Sequence, residues 1–417
     1  MGNDLDRVRL VGLDYLKAVF GEEPVERAVE LTGKFEVEIP AWQFWAGFGG
    51  GGRFDSLGTG GAARNTEEIA QDAALVHRLT RSAPTVGQHV LWFLSRDGVT
   101  GDLESARRVA GELEARGVRM GSISPTYFLA GSGDGSFTAQ DPAVRERYIE
   151  QTVLAAGIAA ELANGVLSLW FPDGTNYPGQ RDLQDKITKM AESIRVFWER
   201  TPQSIREKLD RVLVEYKLFE PGTYSTTVPD WGTARELVRA FGDRGAVLID
   251  LGHHHHGTNV EQIVAGLIGF GVRGGFHFNT RYAADDDHAV QADYQLARIF
   301  LELVRGEVIF RSDPRQNWSF ALDQMARSEE RIPSVLKSID ALKRSLARAL
   351  LLDTDKLREY QQAGDLIAAN AEFERALLFA DTGPVVMESY HRQGLHPVPL
   401  TAYRESGYQG KIQAERG

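Results

Sequence analysis

The chain contains no cysteine, which excludes disulfides and thiolate-bound metal. It has no stretch of about 18 consecutive apolar residues, so no membrane-spanning helix and no membrane partner are expected. The stretch from Met1 to Leu16 is polar and mixed rather than an apolar leader, so a signal peptide is not expected either. Basic charge is in deficit: 47 Lys and Arg stand against 58 Asp and Glu, a formal net charge of −11. No basic stripe is present, so nucleic acid is not an expected partner. Gly-x-Gly-x-x-Gly does not follow the first candidate strand, and the run Gly49–Gly52 lacks the Lys-Ser/Thr of a phosphate loop. These absences leave a soluble, cytoplasmic protein acting on a small neutral or cation-chelated molecule.

What is present is a large apolar fraction, 42% of 417 residues, with 25% charged, enough for a sizeable core and too ordered a mixture for disorder. Eight apolar runs read as strands: 34–39, 85–92, 119–127, 165–171, 212–219, 246–251, 272–278 and 319–323. Several are almost continuously apolar, as parallel strands covered on both faces should be. Helical stripes lie between them. Ala106, Val109, Ala110 and Leu113 share one face with Gly117 beyond, and Val260, Ile263, Val264, Leu267 and Ile268 repeat the pattern with Gly271 beyond. Eight strand–helix units predict an α/β fold, a (β/α)8 TIM barrel rather than an open sheet. Residues 1–32 read as a helical segment leading into a barrel domain of 1–330. Residues 331–417, with Leu336, Ile339, Leu342 and Leu346 in a stripe, read as a C-terminal helical extension that covers the barrel and a partner subunit.

Active sites of such barrels sit at the C-terminal strand ends, and those ends are rich in chemistry here. The second strand carries His89, the fourth Trp170 and the fifth Glu215 and Lys217. The sixth ends in Asp250 and His253, the seventh in His277, the eighth in Asp323, and a loop holds Asp285 and Asp287. Glu215 and Lys217, two apart on a strand, should share the inner face. Carboxylates and imidazoles converging on one mouth would repel unless divalent cations sat among them. Oxygen-rich donors suit Mg2+ or Mn2+, and the imidazoles tilt the choice to Mn2+ or Co2+. Each residue also has a plain structural alternative. Glu215 and Lys217 could be a buried ion pair, His277 a satisfied core histidine, His89 a core ring beside Trp92, Trp170 a core Trp, Asp285–Asp287 a solvated turn and Asp323 a helix cap. The run His253–His256 could be a solvated loop.

At these positions the sequence resembles the bacterial L-rhamnose isomerases of the xylose-isomerase-like barrel superfamily. Glu215-Tyr216-Lys217…Glu220-Pro221, Asp250-Leu251-Gly252-His253-His254, Gly275-Phe276-His277-Phe278-Asn279, Asp285-x-Asp287 and Leu322-Asp323-Gln324 carry the likeness. So do Asp173-Gly174-Thr175-Asn176-Tyr177-Pro178-Gly179-Gln180 and Tyr403-Arg404-Glu405-Ser406-Gly407-Tyr408. The resemblance implies a structural cation held by Glu215, Asp250, His277 and Asp323. It implies a catalytic cation held by His253, Asp285 and Asp287, with Asp250 between the two ions, Mn2+ foremost. It implies that His89, Trp170 and Lys217 line the sugar, with either Trp42 or Trp45 as a further contact and Phe54 reaching a neighbouring subunit's site. The implied assembly is a homo-oligomer, tetramer or dimer.

The implied reaction interconverts L-rhamnose and L-rhamnulose, with D-allose and D-allulose as further candidates, by hydrogen transfer between C1 and C2. Lys217 would stabilise charge on the sugar oxygens, Asp285 or Asp287 would serve proton transfer, and His89 would assist ring opening. Leu251 stands where the family has Thr, and the segment from Trp42 to Phe54 is longer and richer in glycine than the family pattern. Three other readings compete. A sugar 3-epimerase on the same barrel usually needs one metal and would not need the doubled ligand set. A metal-dependent phosphodiesterase acting on damaged DNA would want a basic groove. A non-catalytic sugar-binding barrel would show broken ligand positions.

Overall fold

The computed structural model describes residues 2–45, 60–96, 100–220, 222–280, 287–325 and 329–417. Eight strands form one parallel sheet: β1 (Ile39–Pro40), β2 (Thr85–His89), β3 (Arg119–Ser124), β4 (Val166–Trp170), β5 (Arg211–Glu215), β6 (Gly245–Asp250), β7 (Arg273–Phe278) and β8 (Ser319–Leu322). Each pairs with the next in chain order. The sheet closes through Glu38, just before β1. Its N–H donates to the Phe320 carbonyl and its carbonyl accepts from the Leu322 N–H, both at 2.8 Å, in a parallel bridge to Ala321. The result is the expected TIM barrel.

Strand alternation sorts the side chains. Leu167, Leu169, Val212, Val214, Val247, Ile249, Phe276, Phe278 and Leu322 face outward into the main apolar core. There they meet the helices Thr66–Thr80, Leu103–Glu114, Pro142–Leu162, Leu183–Arg200, Trp231–Val238, Val260–Gly269, Tyr294–Arg305 and Arg331–Leu351, one after each strand. The stripes Ala106–Val109–Ala110–Leu113 and Val260–Ile263–Val264–Leu267 are buried as expected. Asp102, Asp141, Asp182, Asp230 and Asp293 cap five of these helices by accepting backbone N–H groups. Gly117 and Gly271, at φ 81° and 67°, turn the chain out of two of them.

Several strands are shorter than the apolar runs suggest; the third, for one, stops at Ser124 rather than at Tyr127. The second stops at His89, where Val90–Phe93 turns helical. The fifth stops at Glu215, so Lys217 lies beyond the strand. Lys34 ends a helix rather than starting β1. The terminal segments are helical. Gly2–Phe20 and Glu22–Lys34 pack with Arg331–Leu351 and Gly383–His391 around Leu16, Val25, Val29, Ala347 and Val385. Arg331–Leu351 thus completes the barrel's outer layer and begins the C-terminal extension; Leu336, Ile339, Leu342 and Leu346 are all buried in the main core. Among the described residues no helix is long and apolar enough to cross a membrane.

Candidate metal centre and sugar site

The inward alternation that ends β5, β6 and β7 places Glu215, Asp250 and His277 at one mouth of the barrel. Asp323, one residue past β8, joins them. Each of the four offers a ligand atom, and these atoms lie within 4.8 Å of one another. His277 Nδ1 is 3.3 Å from Glu215 Oε2 and 3.1 Å from Asp323 Oδ2. Despite that crowding, neither His277 Nδ1 nor Glu215 Oε1 makes an aligned hydrogen bond, although both are buried. Buried polar atoms left without a partner beside one another fit the donor set of a cation site. Three carboxylates and one imidazole suit a hard or borderline divalent cation.

The electrostatics agree. Burial, with the neighbouring carboxylates Glu215 and Asp323, pushes Asp250 up to about 7 against the pull of His253 and His277. Burial would also raise Glu215, but the His277 charge and the two imidazoles outweigh it and hold that carboxyl below its usual range. His277 moves the other way. Burial lowers it, yet Glu215 and Asp323 more than compensate and raise it well above an ordinary histidine. The pull of the acids on this imidazole marks a point of concentrated negative charge that a bound cation would neutralise.

Asp250 is the best-held member. Its Oδ1 accepts from the Gly252 N–H at 2.7 Å, and the Asn279 side-chain amide reaches both oxygens at 3.1 Å. His253 stands on its other flank. Its Nδ1 is 3.2 Å from both the Tyr216 carbonyl and Glu215 Oε1, and its Nε2 is 3.9 Å from Asp250 Oδ1. A proton on Nδ1 given to the carbonyl leaves the Nε2 lone pair facing the Asp250 side. His254 is structural, its Nε2 2.7 Å from the Tyr216 hydroxyl, while His255 and His256 are exposed. Asp287 is half-buried with φ 53°. Asp285 and Phe54 lie outside the described residues.

Around the acids stands an aromatic wall. Trp42 donates its indole N–H to Asp323 Oδ1 at 2.8 Å, and its ring meets His89 edge-on at 5.1 Å. His89 also touches Trp92 and Phe128, and its Nδ1 lies 3.3 Å from Thr126 Oγ1. Burial pushes this imidazole down to about 4 although Asp323 and Glu215 pull it up, so it is neutral at pH 7. Trp45 is placed differently, packed on Phe93 at 4.5 Å. Lys217 is buried, pairs with Glu220 Oε1 at 2.7 Å, and stands 5.1 Å over the Trp170 ring. The Trp170 indole N–H is buried and has no hydrogen-bond partner among the described residues.

Three of these contacts escaped the sequence reading: the Asn279 clamp on Asp250, the Trp42–Asp323 bond and the Glu220 partner of Lys217. Asn279 and Glu220 stand inside the motifs, but Trp42 and Asp323 are 281 positions apart, and no local signal joins them.

The L-rhamnose isomerase (RhaA) family model matches residues 50–398. The chain belongs to the L-rhamnose isomerase family. As such it is a sugar isomerase. A probable sugar isomerase of Rhizobium meliloti is 32% identical over 391 residues, 92% of this chain and 86% of that protein. An L-rhamnose isomerase of Salmonella typhi is 26% identical over 377 residues, 84% of this chain and 85% of that one. Among solved structures, an L-ribulose 3-epimerase superposes with a TM-score of 0.54 at 12% identity, covering 80% of this chain and 98% of its own. At that identity the likeness is one of fold.

Proposed function

We propose that this isomerase interconverts L-rhamnose and L-rhamnulose, and also D-allose and D-allulose, by moving hydrogen between C1 and C2 of the open-chain sugar with two divalent cations, Mn2+ preferred. The observation that carries this reading is the cluster of Glu215, Asp250, His277 and Asp323, whose ligand atoms converge within 4.8 Å while His277 Nδ1 and Glu215 Oε1 are buried without an aligned hydrogen bond, in a chain of this family. Bound there, a divalent cation would polarise the sugar's carbonyl and hydroxyl oxygens as a Lewis acid.

The four clustered residues would hold one ion. His253 Nε2, Asp287 and Asp285 would hold the other, with Asp250 between. Lys217 would keep its positive charge beside the oxygens on which negative charge develops, anchored by Glu220 and backed by the Trp170 face. The free indole N–H of Trp170 would donate to a sugar hydroxyl, while its ring excludes water from the C–H face. Neutral His89 would accept a proton from the ring hydroxyl as the sugar opens. Trp42, through its bond to Asp323, would bring an aromatic edge to the same place; Trp45, on Phe93, stands further back.

The test is turnover of L-rhamnose, L-mannose, D-allose and D-allulose by the chelator-stripped protein, with and without added Mn2+. Activity that vanishes with chelator, returns with Mn2+ and is lost in Asp323→Asn is expected. Full activity in excess chelator, or no turnover of any of these sugars, overturns the reading. We further propose a homo-oligomer. Leu366, Ile367 and Leu378 are more than 70% exposed on one C-terminal helix, an apolar surface that a second copy would cover. A monomeric mass in solution scattering would remove that proposal.

A further inference from the structure

Below the ligand cluster, the barrel interior holds another acid, Glu38. Asp250 pairs in register with His277, His277 with Ala321, and Ala321 with Glu38. Side chains in such a lateral row point to the same side of a parallel sheet. All four therefore face the barrel interior, and only the methyl of Ala321 stands in the row between His277 and Glu38.

The interior is cut to receive this carboxylate. A Cβ on Gly87 would sit 2.8 Å from Glu38 Oε1, and one on Gly121 would collide with Oε2. Ser122 donates to Glu38 twice, from its N–H at 2.8 Å and from its hydroxyl. A cavity of about 400 Å3 enters from the N-terminal mouth, past Thr85, Arg119, Ser122 and Glu38, and reaches His277. Burial raises the Glu38 carboxyl, opposed by the Ser122 hydrogen bonds and by the charge of His277. Glu38 is no member of the ligand group, and nothing in the isomerisation uses it.

His277 turns Nδ1 toward Glu215 and Asp323, so Nε2, on the opposite edge of the ring, points away from them. We propose that Glu38 is a positioning residue for the metal centre: through a water in the cavity that both residues line, it holds the Nε2–H of His277 and so fixes the tautomer whose Nδ1 lone pair faces the cation. An outer carboxylate that orients a metal-ligating histidine raises its basicity and holds its ring, and losing such a partner costs about 10–100-fold in metal affinity. Water bridges such a gap where polar groups line it. The two glycines and Ser122 are the means by which the fold tolerates an acid at this depth.

This inference rests on the cation reading, and one experiment separates the two. Mn2+ binding to the chelator-stripped full chain is measured by calorimetry for the parent, Glu38→Gln and Glu38→Leu, together with the melting temperature of each metal-free protein. Glu38→Gln keeps the shape and is expected to weaken Mn2+ by about 10-fold, and Glu38→Leu by about 100-fold. A purely structural role would move the melting temperature and leave the dissociation constant within twofold of the parent. That outcome overturns the proposal. If Glu38→Leu does not fold, the isosteric Glu38→Gln decides alone. If the parent itself binds no Mn2+, the cation reading fails and the Glu38 role falls with it.

Discussion

Trp42 gives its indole N–H to Asp323 at 2.8 Å, tying the segment after β1 to the carboxylate that ends β8. The bond fixes which Asp323 oxygen is free. Oδ1 is taken by the indole, and Oδ2 is left 3.1 Å from His277. Trp42→Phe keeps the ring and removes the donor. We expect kcat/KM to fall by about 10–100-fold, the usual cost of losing a partner that orients a ligand. Trp45→Phe, changed at a ring that packs on Phe93, should stay within a few-fold of the parent. Equal effects of the two substitutions would show that Trp42 has no special role.

Lys217 offers a test of charge stabilisation apart from metal binding. Lys217→Met keeps the length of the side chain on the Trp170 face and removes the ammonium. Loss of one preorganised electrostatic group of this kind costs about 100–1,000-fold in kcat. Mn2+ affinity, measured by calorimetry, should change little, because Lys217 pairs with Glu220 rather than with the ligand carboxylates. An unchanged kcat would remove Lys217 from the chemistry.

Lys343 is another buried lysine, on the helix Arg331–Leu351. Its Nζ has no hydrogen-bond partner among the described residues and lies 4.3 Å from the Tyr390 ring. Burial lowers it to about 7, with Asp340 the opposing charge. Unfolded, it titrates near ~10.4, so between the two values the unfolded chain binds the extra proton and stability rises with pH. Lys343→Met abolishes that dependence. The variant should be more stable than the parent by ~1–4 kcal/mol near pH 7, with the gap closing as the pH approaches 10. Urea titrations at pH 7 and pH 10 read it directly, and a gap that widens with pH would contradict the sign.

The C-terminal helix Tyr408–Arg416 is held by one buried acid. Asp72 accepts from Tyr408 Oη at 2.7 Å and from Arg416 at 2.7 and 3.1 Å, and both charged side chains are 2% exposed. Ile412 lies against Gly61 in the same contact. Arg416→Ala leaves Asp72 buried without its cation, and we expect a loss of about 3–5 kcal/mol in chemical unfolding. Asp72→Asn with Arg416→Gln should recover part of it. A loss below about 1 kcal/mol would mean that water replaces the arginine.

The barrel was legible because its outward residues are so uniformly apolar. Runs such as Val212-Leu213-Val214 and Val247-Leu248-Ile249 announce strands wherever they end. Their ends were less legible. Lys217 reads as a strand residue because it continues an apolar run, but its N–H donates to the Val228 carbonyl, a contact that no local pattern encodes. The clustered acids stood out because each closes an apolar strand with a charge that burial would forbid to a lone side chain. Glu38 did not stand out. The alternation Glu36-Val37-Glu38-Ile39 reads as a strand with one wet face, whereas closure through the Glu38 bridge to Ala321 turns that face into the barrel's lumen.

The close fit of Gly87 and Gly121 around Glu38 has an evolutionary consequence. A methyl at 121 would collide with the Glu38 carboxyl, carbon and oxygen both, and one at 87 would press on its end, so the three positions form a unit that does not drift freely site by site. Descendants that lose the acid free both glycines to vary, and a lineage that has gained an alanine at 121 cannot easily return. In a set of relatives, the residue at 121 should therefore report whether an acid remains at 38, even though 83 positions of chain separate them.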